Sequence, residues 1–301
     1  VNTGGFNLGA FLNNAKLGMV ALNTELKGNS FSLNDLDATI KGKVARFDYG
    51  GYSYRNIALD GGIQNKYFRG KFSADDPNIK VSELFGSVNL ASKEPFLSAD
   101  AKVEYINLKN LGLSKENLRL SGIFNLNFKG DNIDNFLGSA RIYRATLFKD
   151  STKMSFDSLT LVSLMDGNDK VLTLESNEVQ ARLRGQFKVM ELPDAFTFFL
   201  AKYYPAYFKA PKKVSEQNFS FDIQTKNVDD YVQRFNPRLS GFNNADIKGN
   251  INLRNYELDL DAFVPAFMYD GKSFDNITLT AKGNRDTLHA VMVVANIKIN
   301  D

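Results

Sequence analysis

The chain holds one histidine and no cysteine, which restricts the chemistry it can do. His289 stands in Thr287-Leu288-His289-Ala290-Val291, an alternation that places it on a strand. Nucleophilic catalysis needs a base oriented by a carboxylate with a nucleophile beside it. No Gly-x-Ser-x-Gly elbow or equivalent accompanies His289. Metal binding through thiolates and imidazoles fails on numbers, and disulfides are excluded. Asp166-Gly167-Asn168-Asp169 offers oxygen ligands, yet it lacks the spaced ligands and closing Glu of a calcium loop, and reads as a turn. Asp229-Asp230 is a carboxylate pair too common to imply acid–base work. Phosphate-cradling loops and dinucleotide fingerprints are missing. The expectation is a protein that is not an enzyme and has no cofactor and no metal site.

What the residue types do offer is apolar surface in a regular pattern. Leu97, Ala99, Ala101, Val103 and Tyr105 alternate with polar residues, as do Phe124, Leu126 and Phe128. Phe219, Phe221 and Ile223 follow the same rule, and so do Leu258 and Leu260. Ile277 and Leu279 alternate in Ile277-Thr278-Leu279. Period-two alternation puts such side chains on one face of a sheet and leaves the other face wet. These residues are candidates for lining a groove that takes an apolar ligand. The competing reading is that the same face is sealed as core, and alternation alone does not separate the two.

The elements that carry these residues recur. Lys27-Gly28, Lys129-Gly130 and Lys248-Gly249 are followed by an aromatic and a short β-pattern at Tyr54, Phe156 and Phe274, spacings of 54−27 = 27, 156−129 = 27 and 274−248 = 26 residues. Upstream, Asn7-Leu8, Asn107-Leu108 and Asn227-Val228 keep the register. Three modules follow: 1–106, 107–226 and a truncated 227–301, with a helical insertion at 192–213 in the second. A period near a hundred residues suggests multi-strand modules stacked in a repeat array. Turn signals at Asp60-Gly61-Gly62, Asp166–Asp169 and Lys282–Asp286 separate the strands. Short helical turns are expected at Asn107–Leu113 and Asn227–Phe235, where Asn can cap. The fold expected is all-β, of about twenty antiparallel or mixed strands, in an elongated, curved, taco-like sheet with an apolar concave face. One long helix is expected near 193–208, with Pro193 at its first position and Pro205 breaking it. Phe196, Phe199, Leu200 and Tyr203 share one side of it, either as a cover packed on the sheet or as a lid over a groove.

The net charge of +3 is spread along the chain, so no nucleic-acid partner is expected. No stretch approaches the roughly 18 apolar residues of a membrane helix. Tyr54-Arg55-Asn56-Ile57-x-Leu59 with Asp60-Gly61, the stretch Phe72 to Ile79, and Leu120 to Gly130 together resemble the AsmA-like superfamily. The resemblance is greatest to its TamB group of translocation and assembly modules as found in Bacteroidetes. The resemblance implies an internal segment of a periplasmic protein anchored in the inner membrane of a Gram-negative bacterium. It also implies phospholipid transport, outer-membrane biogenesis, and an outer-membrane barrel partner of the TamA type engaged through regions outside this segment. The alternative function is a chaperone-like scaffold for outer-membrane proteins.

Overall fold

The structure is a computed structural model that describes residues 1–29, 37–89, 96–112, 114–130 and 132–299. Leu113 and Asp301, which close the expected turn and the expected third module, lie outside the described residues. The fold is all-β: among the described residues, eighteen strands in antiparallel pairing, with few helices.

The contacts divide the chain into two units. Val1–Asp131 with Ser139–Ser158 form the first, and Asn132–Gly138 with Leu159–Asp301 the second. Residues 106/107 and 226/227, the repeat boundaries, fall inside these units. The chain's strands begin with β1 (Asn2–Asn7), β2 (Leu17–Gly28), β3 (Asp37–Tyr49) and β4 (Tyr52–Gln64). They continue with β5 (Tyr67–Asp76), β6 (Ile79–Asn89), β7 (Phe96–Asn107), β8 (Leu118–Lys129) and β9 (Leu137–Lys149). β10 (Thr152–Asp166) is followed by β11 (Asp169–Ser176), β12 (Val179–Gln186), β13 (Asn218–Thr225) and the short β14 (Leu239–Gly241). β15 (Asp246–Asn252), β16 (Glu257–Tyr269), β17 (Lys272–Gly283) and β18 (Leu288–Ile299) complete the sheet. Helices α1 (Leu8–Leu12), α2 (Leu192–Tyr203) and α3 (Asp229–Phe235) interrupt it.

Tight turns fix the registers. Gly50-Gly51, Asn65-Lys66 and Asp270-Gly271 all have positive φ at both positions, the geometry that matches the twist of two-residue hairpins. The expected turn at Asp60-Gly61-Gly62 is corrected: these residues lie inside β4, where Gly61 pairs with Gly70, and the turn comes at Asn65-Lys66. The other two turns fall where the sequence puts them, between β10 and β11 and between β17 and β18.

The repeated aromatic-x-Asn-Ile motif has a conformational reason. Asn56 and Asn276 sit mid-strand with φ of 49° and 51°, a left-handed conformation that Asn tolerates better than β-branched residues. One such residue turns the strand over, so Tyr54 and Ile57 face the same side although three residues apart, as do Phe274 and Ile277. In the second copy Ser158 keeps ordinary backbone, and the left-handed residue is Arg144 on β9. The Asn-Leu register marks caps. The Asn7 side chain accepts from Ala10 N at 3.0 Å to start α1, a helix the sequence did not announce. Asn107 accepts from Asn110 N at 3.1 Å, closing a turn rather than a helix. At the third position Asn243 does the capping, accepting from Val228 N and Asp229 N at 2.7 and 3.0 Å.

Candidate apolar groove

Cross-strand pairing in the second unit arranges the apolar residues as rows. One row runs Gly185, Phe219, Ile251, Leu258, Gly283 and the next Leu183, Phe221, Gly249, Leu260, Ala281. A third runs Ala181, Ile223, Ile247, Ala262, Leu279, Met292. Phe219, Phe221 and Leu258 are buried, while Leu260, Ile223 and Leu279 are half-buried.

Helix α2 lies over the first two rows. Phe196 meets Phe219 and Phe221 edge-on, with ring centroids 6.3 and 5.7 Å apart. Phe199 is 1% exposed, and its ring occupies the space above Gly283, where a Cβ would stand 2.6 Å from Phe199 Cζ. Leu200 and Tyr203 are half-buried, and Tyr203 stacks at a tilt on Phe199. The helix ends at Tyr203 rather than 208, because the residue before Pro205 is forced out of the helical region: Tyr204 has φ −129° and ψ 57°.

Both ends of α2 are held. At its start, Asp134 Oδ1 accepts from Val189 N at 2.7 Å and Met190 N at 3.4 Å. Buried Lys170 fixes that loop by donating to Ile133 O and Asp134 O at 3.0 and 2.9 Å. Burial pushes the Lys170 ammonium below its ordinary value, against the opposing pull of Asp134. Buried Gln217 accepts from Lys188 N at 3.0 Å. The Glu191 carboxylate accepts from Ser215 N at 2.8 Å and Lys188 Nζ at 3.1 Å. At the far end Tyr203 Oη donates to Asn284 O, Lys202 Nζ donates to Arg285 O, and the same ammonium stands 4.2 Å from the Tyr256 ring centre.

Glu191 gives this anchor a pH dependence. Hydrogen bonds from Ser215, then Lys188, hold its carboxyl at about 2 against an ordinary 4.5. A carboxyl depressed on folding stabilises fully above its unfolded value, and that contribution is lost as pH falls through the folded one. Stability measured from pH 5 down to pH 2 is therefore expected to fall less steeply for Glu191→Gln than for the unaltered chain. Asp48, held at about 2 first by Arg46, supplies a second acid-sensitive contribution that this substitution leaves in place. Equal slopes for the two proteins would remove Glu191 from the account.

The third row is not under α2. Ile223, Ile247, Ala262 and Leu279 are half-buried, and Met292 at the row's end is 65% exposed. On its other side lies a packed cluster of Ala245, Val264 and Ile277, roofed by Phe242, Phe267 and Phe274, whose rings stack at 5.3 and 4.8 Å. This half-buried row, the candidate trough, lies between the rows that α2 covers and that aromatic stack. Ile277, a groove candidate from the sequence, belongs to the cluster and not to the trough.

In the first unit Leu97 pairs with Phe128, Ala99 with Leu126 and Ala101 with Phe124, so the candidates there share one face with Val103. Val103 and Phe124 are buried, and Leu97, Leu126 and Phe128 half-buried. Tyr105 is the exception. A register shift between Val103 and Ile106 puts Ile106 in the packed cluster, and Tyr105 pairs instead with Lys80. The sequence reading missed a row of small residues, Gly61, Gly70, Gly86 and Ala99, which leads to Leu126. Leu59, Phe72 and Leu84 flank it on one side and Ile63, Phe68 and Val88 on the other, and the Phe68 ring lies over Gly61 and Gly70. The signal was present: each Gly stands two residues from apolar neighbours on both sides, as in Phe68-x-Gly70-x-Phe72. A shallow depression on the opposite face is lined by Phe85, Ile123 and Tyr143 together with Lys102 and Asn125, whose Nδ2 donates to Asp100 at 2.5 Å.

Comparison with family models, curated proteins and solved structures finds no match to this chain. Of the residues first weighed for polar chemistry, His289 is exposed on β18 opposite Lys282. Asp166 and Asp169 flank a turn and share Arg184, at 2.7 and 3.5 Å. Asp229 Oδ1 accepts from Gly241 N at 2.6 Å, a structural use. Among the described residues no three His, Cys, Asp or Glu side chains gather as a metal site, and no helix is long and apolar enough to cross a membrane.

Proposed function

We propose that this chain is a non-enzymatic segment of a periplasm-spanning bridge, anchored in the inner membrane, that carries phospholipid acyl chains on the apolar face of its sheet. The observation that supports this reading is the half-buried trough Ile223, Ile247, Ala262, Leu279, ending at exposed Met292. Rows cross the strands, so an acyl chain laid in one meets a run of apolar side chains from successive strands. Burial contributes about 25 cal/mol per Å² of apolar area, spread along the row, while the headgroup stays in water. A roughly even profile lets a chain move on, because no single position holds it more tightly than the next. The resemblance to the TamB group of the AsmA-like superfamily supplies the two membranes, the role in outer-membrane biogenesis and the TamA-type barrel partner.

The test is native mass spectrometry with lipid extraction on the chain purified without detergent. Co-purifying phospholipid is expected, with loss of most of it in Leu279→Asp. A clean apo mass, with no uptake of a fluorescent phospholipid, would sink the conduit reading.

The alternative reading is a chaperone-like scaffold for outer-membrane proteins, in which client strands would add to strands of this sheet through their backbones. Capture of an unfolded barrel strand by the chain, with no co-purifying phospholipid, would favour it over the conduit.

A further inference from the structure

The segment that follows α2 is unlike the rest of the surface. A turn in which Tyr207 N and Phe208 N both donate to Tyr204 O at 3.0 Å holds up three exposed aromatics, with Tyr207 85% exposed. Lys209, Lys212 and Lys213 follow directly, all exposed, and none has an ion-pair or hydrogen-bond partner among the described residues. No acidic residue occurs from Ala195 to Ser215, and Glu216 is taken by Arg254 at 2.6 Å. Several cations on the sheet are matched across strands, as in Lys41–Asp60 at 3.1 Å and Arg184–Asp166 at 2.7 Å.

We infer that residues 204–213 form a docking surface for an anionic phospholipid bilayer. Tyr prefers the level of the headgroups, where its apolar body and wet hydroxyl are both satisfied, and Phe buries its ring in the acyl boundary below. Each nearby lysine gains about 1 kcal/mol from the surface potential of anionic lipid. Uncompensated positive charge beside exposed aromatics therefore fits a negatively charged interface better than a neutral one. Pro205 and Pro211 restrict the backbone, so little order has to be imposed on binding. The inference does not depend on the trough, and its test separates the two.

The chain has no tryptophan, so Tyr207→Trp supplies a single fluorescent reporter. A blue shift is expected on adding phosphatidylcholine vesicles that contain phosphatidylglycerol, with none for phosphatidylcholine alone, and the shift should be reversed by salt. In co-sedimentation, joint Lys209→Gln, Lys212→Gln and Lys213→Gln is expected to weaken vesicle binding about 100-fold. Leu279→Asp should leave vesicle binding unchanged while removing bound lipid from the trough. Equal binding to neutral and anionic vesicles, no binding to either, or full binding by the triple variant overturns the proposal. The substituted residues are exposed and unpartnered, so a folding defect is not expected to obscure the result.

Discussion

Phe199→Ala is expected to lower the stability of the second unit by about 3–5 kcal/mol, the usual range for removing a buried phenyl ring. The ring is 1% exposed and stands over Gly283, while Ala195, one turn earlier on α2, is fully buried. Relaxation cannot refill the space cheaply, because the floor beneath is strand backbone at a glycine. The partner rings Phe219 and Phe221 are held by their own rows and by Phe196. A urea titration of both proteins reads the difference directly, and limited proteolysis within α2 should speed up in the variant. A helix that served as a mobile lid would be open for much of the time. It would then show a loss below about 1 kcal/mol, and the two rows under α2 would have to be counted as groove.

The strands were legible because alternation is a short-range property: Phe219-Ser220-Phe221-Asp222-Ile223 states its two faces without reference to any other strand. Pro193 and Pro205 likewise framed α2. What alternation does not carry is where it breaks. Tyr105 looked like the next member of a series that ends at Val103, since a register shift leaves no composition signal of its own. Asp60-Gly61-Gly62 looked like a turn because Gly serves two purposes, positive φ in turns and absence of a side chain in a sheet. In β4 the second applies, since Gly61 lies against Gly70 under the Phe68 ring. Nor does one strand state what covers its apolar face. That depends on α2 reaching Phe219 and Gly283, 20 and more residues away in sequence, a contact no local pattern encodes.

The sharpest consequence of that distinction concerns two residues on one strand. Ile277→Asp is expected to unfold the second unit or cost it more than about 4 kcal/mol, since it removes a core side chain and places a carboxyl where no partner exists. Leu279→Asp is expected to cost about 1–2 kcal/mol, because its half-buried site leaves the carboxylate a path to water. Sequence alone ranks them together, as alternate members of Ile277-Thr278-Leu279 on the same face. The structure separates them by what stands above: Ile277 is 5% exposed beneath Phe274 and Phe267, whereas Leu279 lies in the trough beside Ala262. The left-handed Asn276 is the cause, because it brings Phe274 to the same side as Ile277 and builds the roof. Circular dichroism and urea titration of the two variants, run beside lipid extraction, test the pair together. Leu279→Asp should stay folded and lose its lipid, and Ile277→Asp should lose the fold. If Leu279→Asp unfolds as readily, the trough is part of the core and has no room for an acyl chain. If it folds and keeps its lipid, the acyl chain binds elsewhere on the sheet, and the conduit reading loses this row.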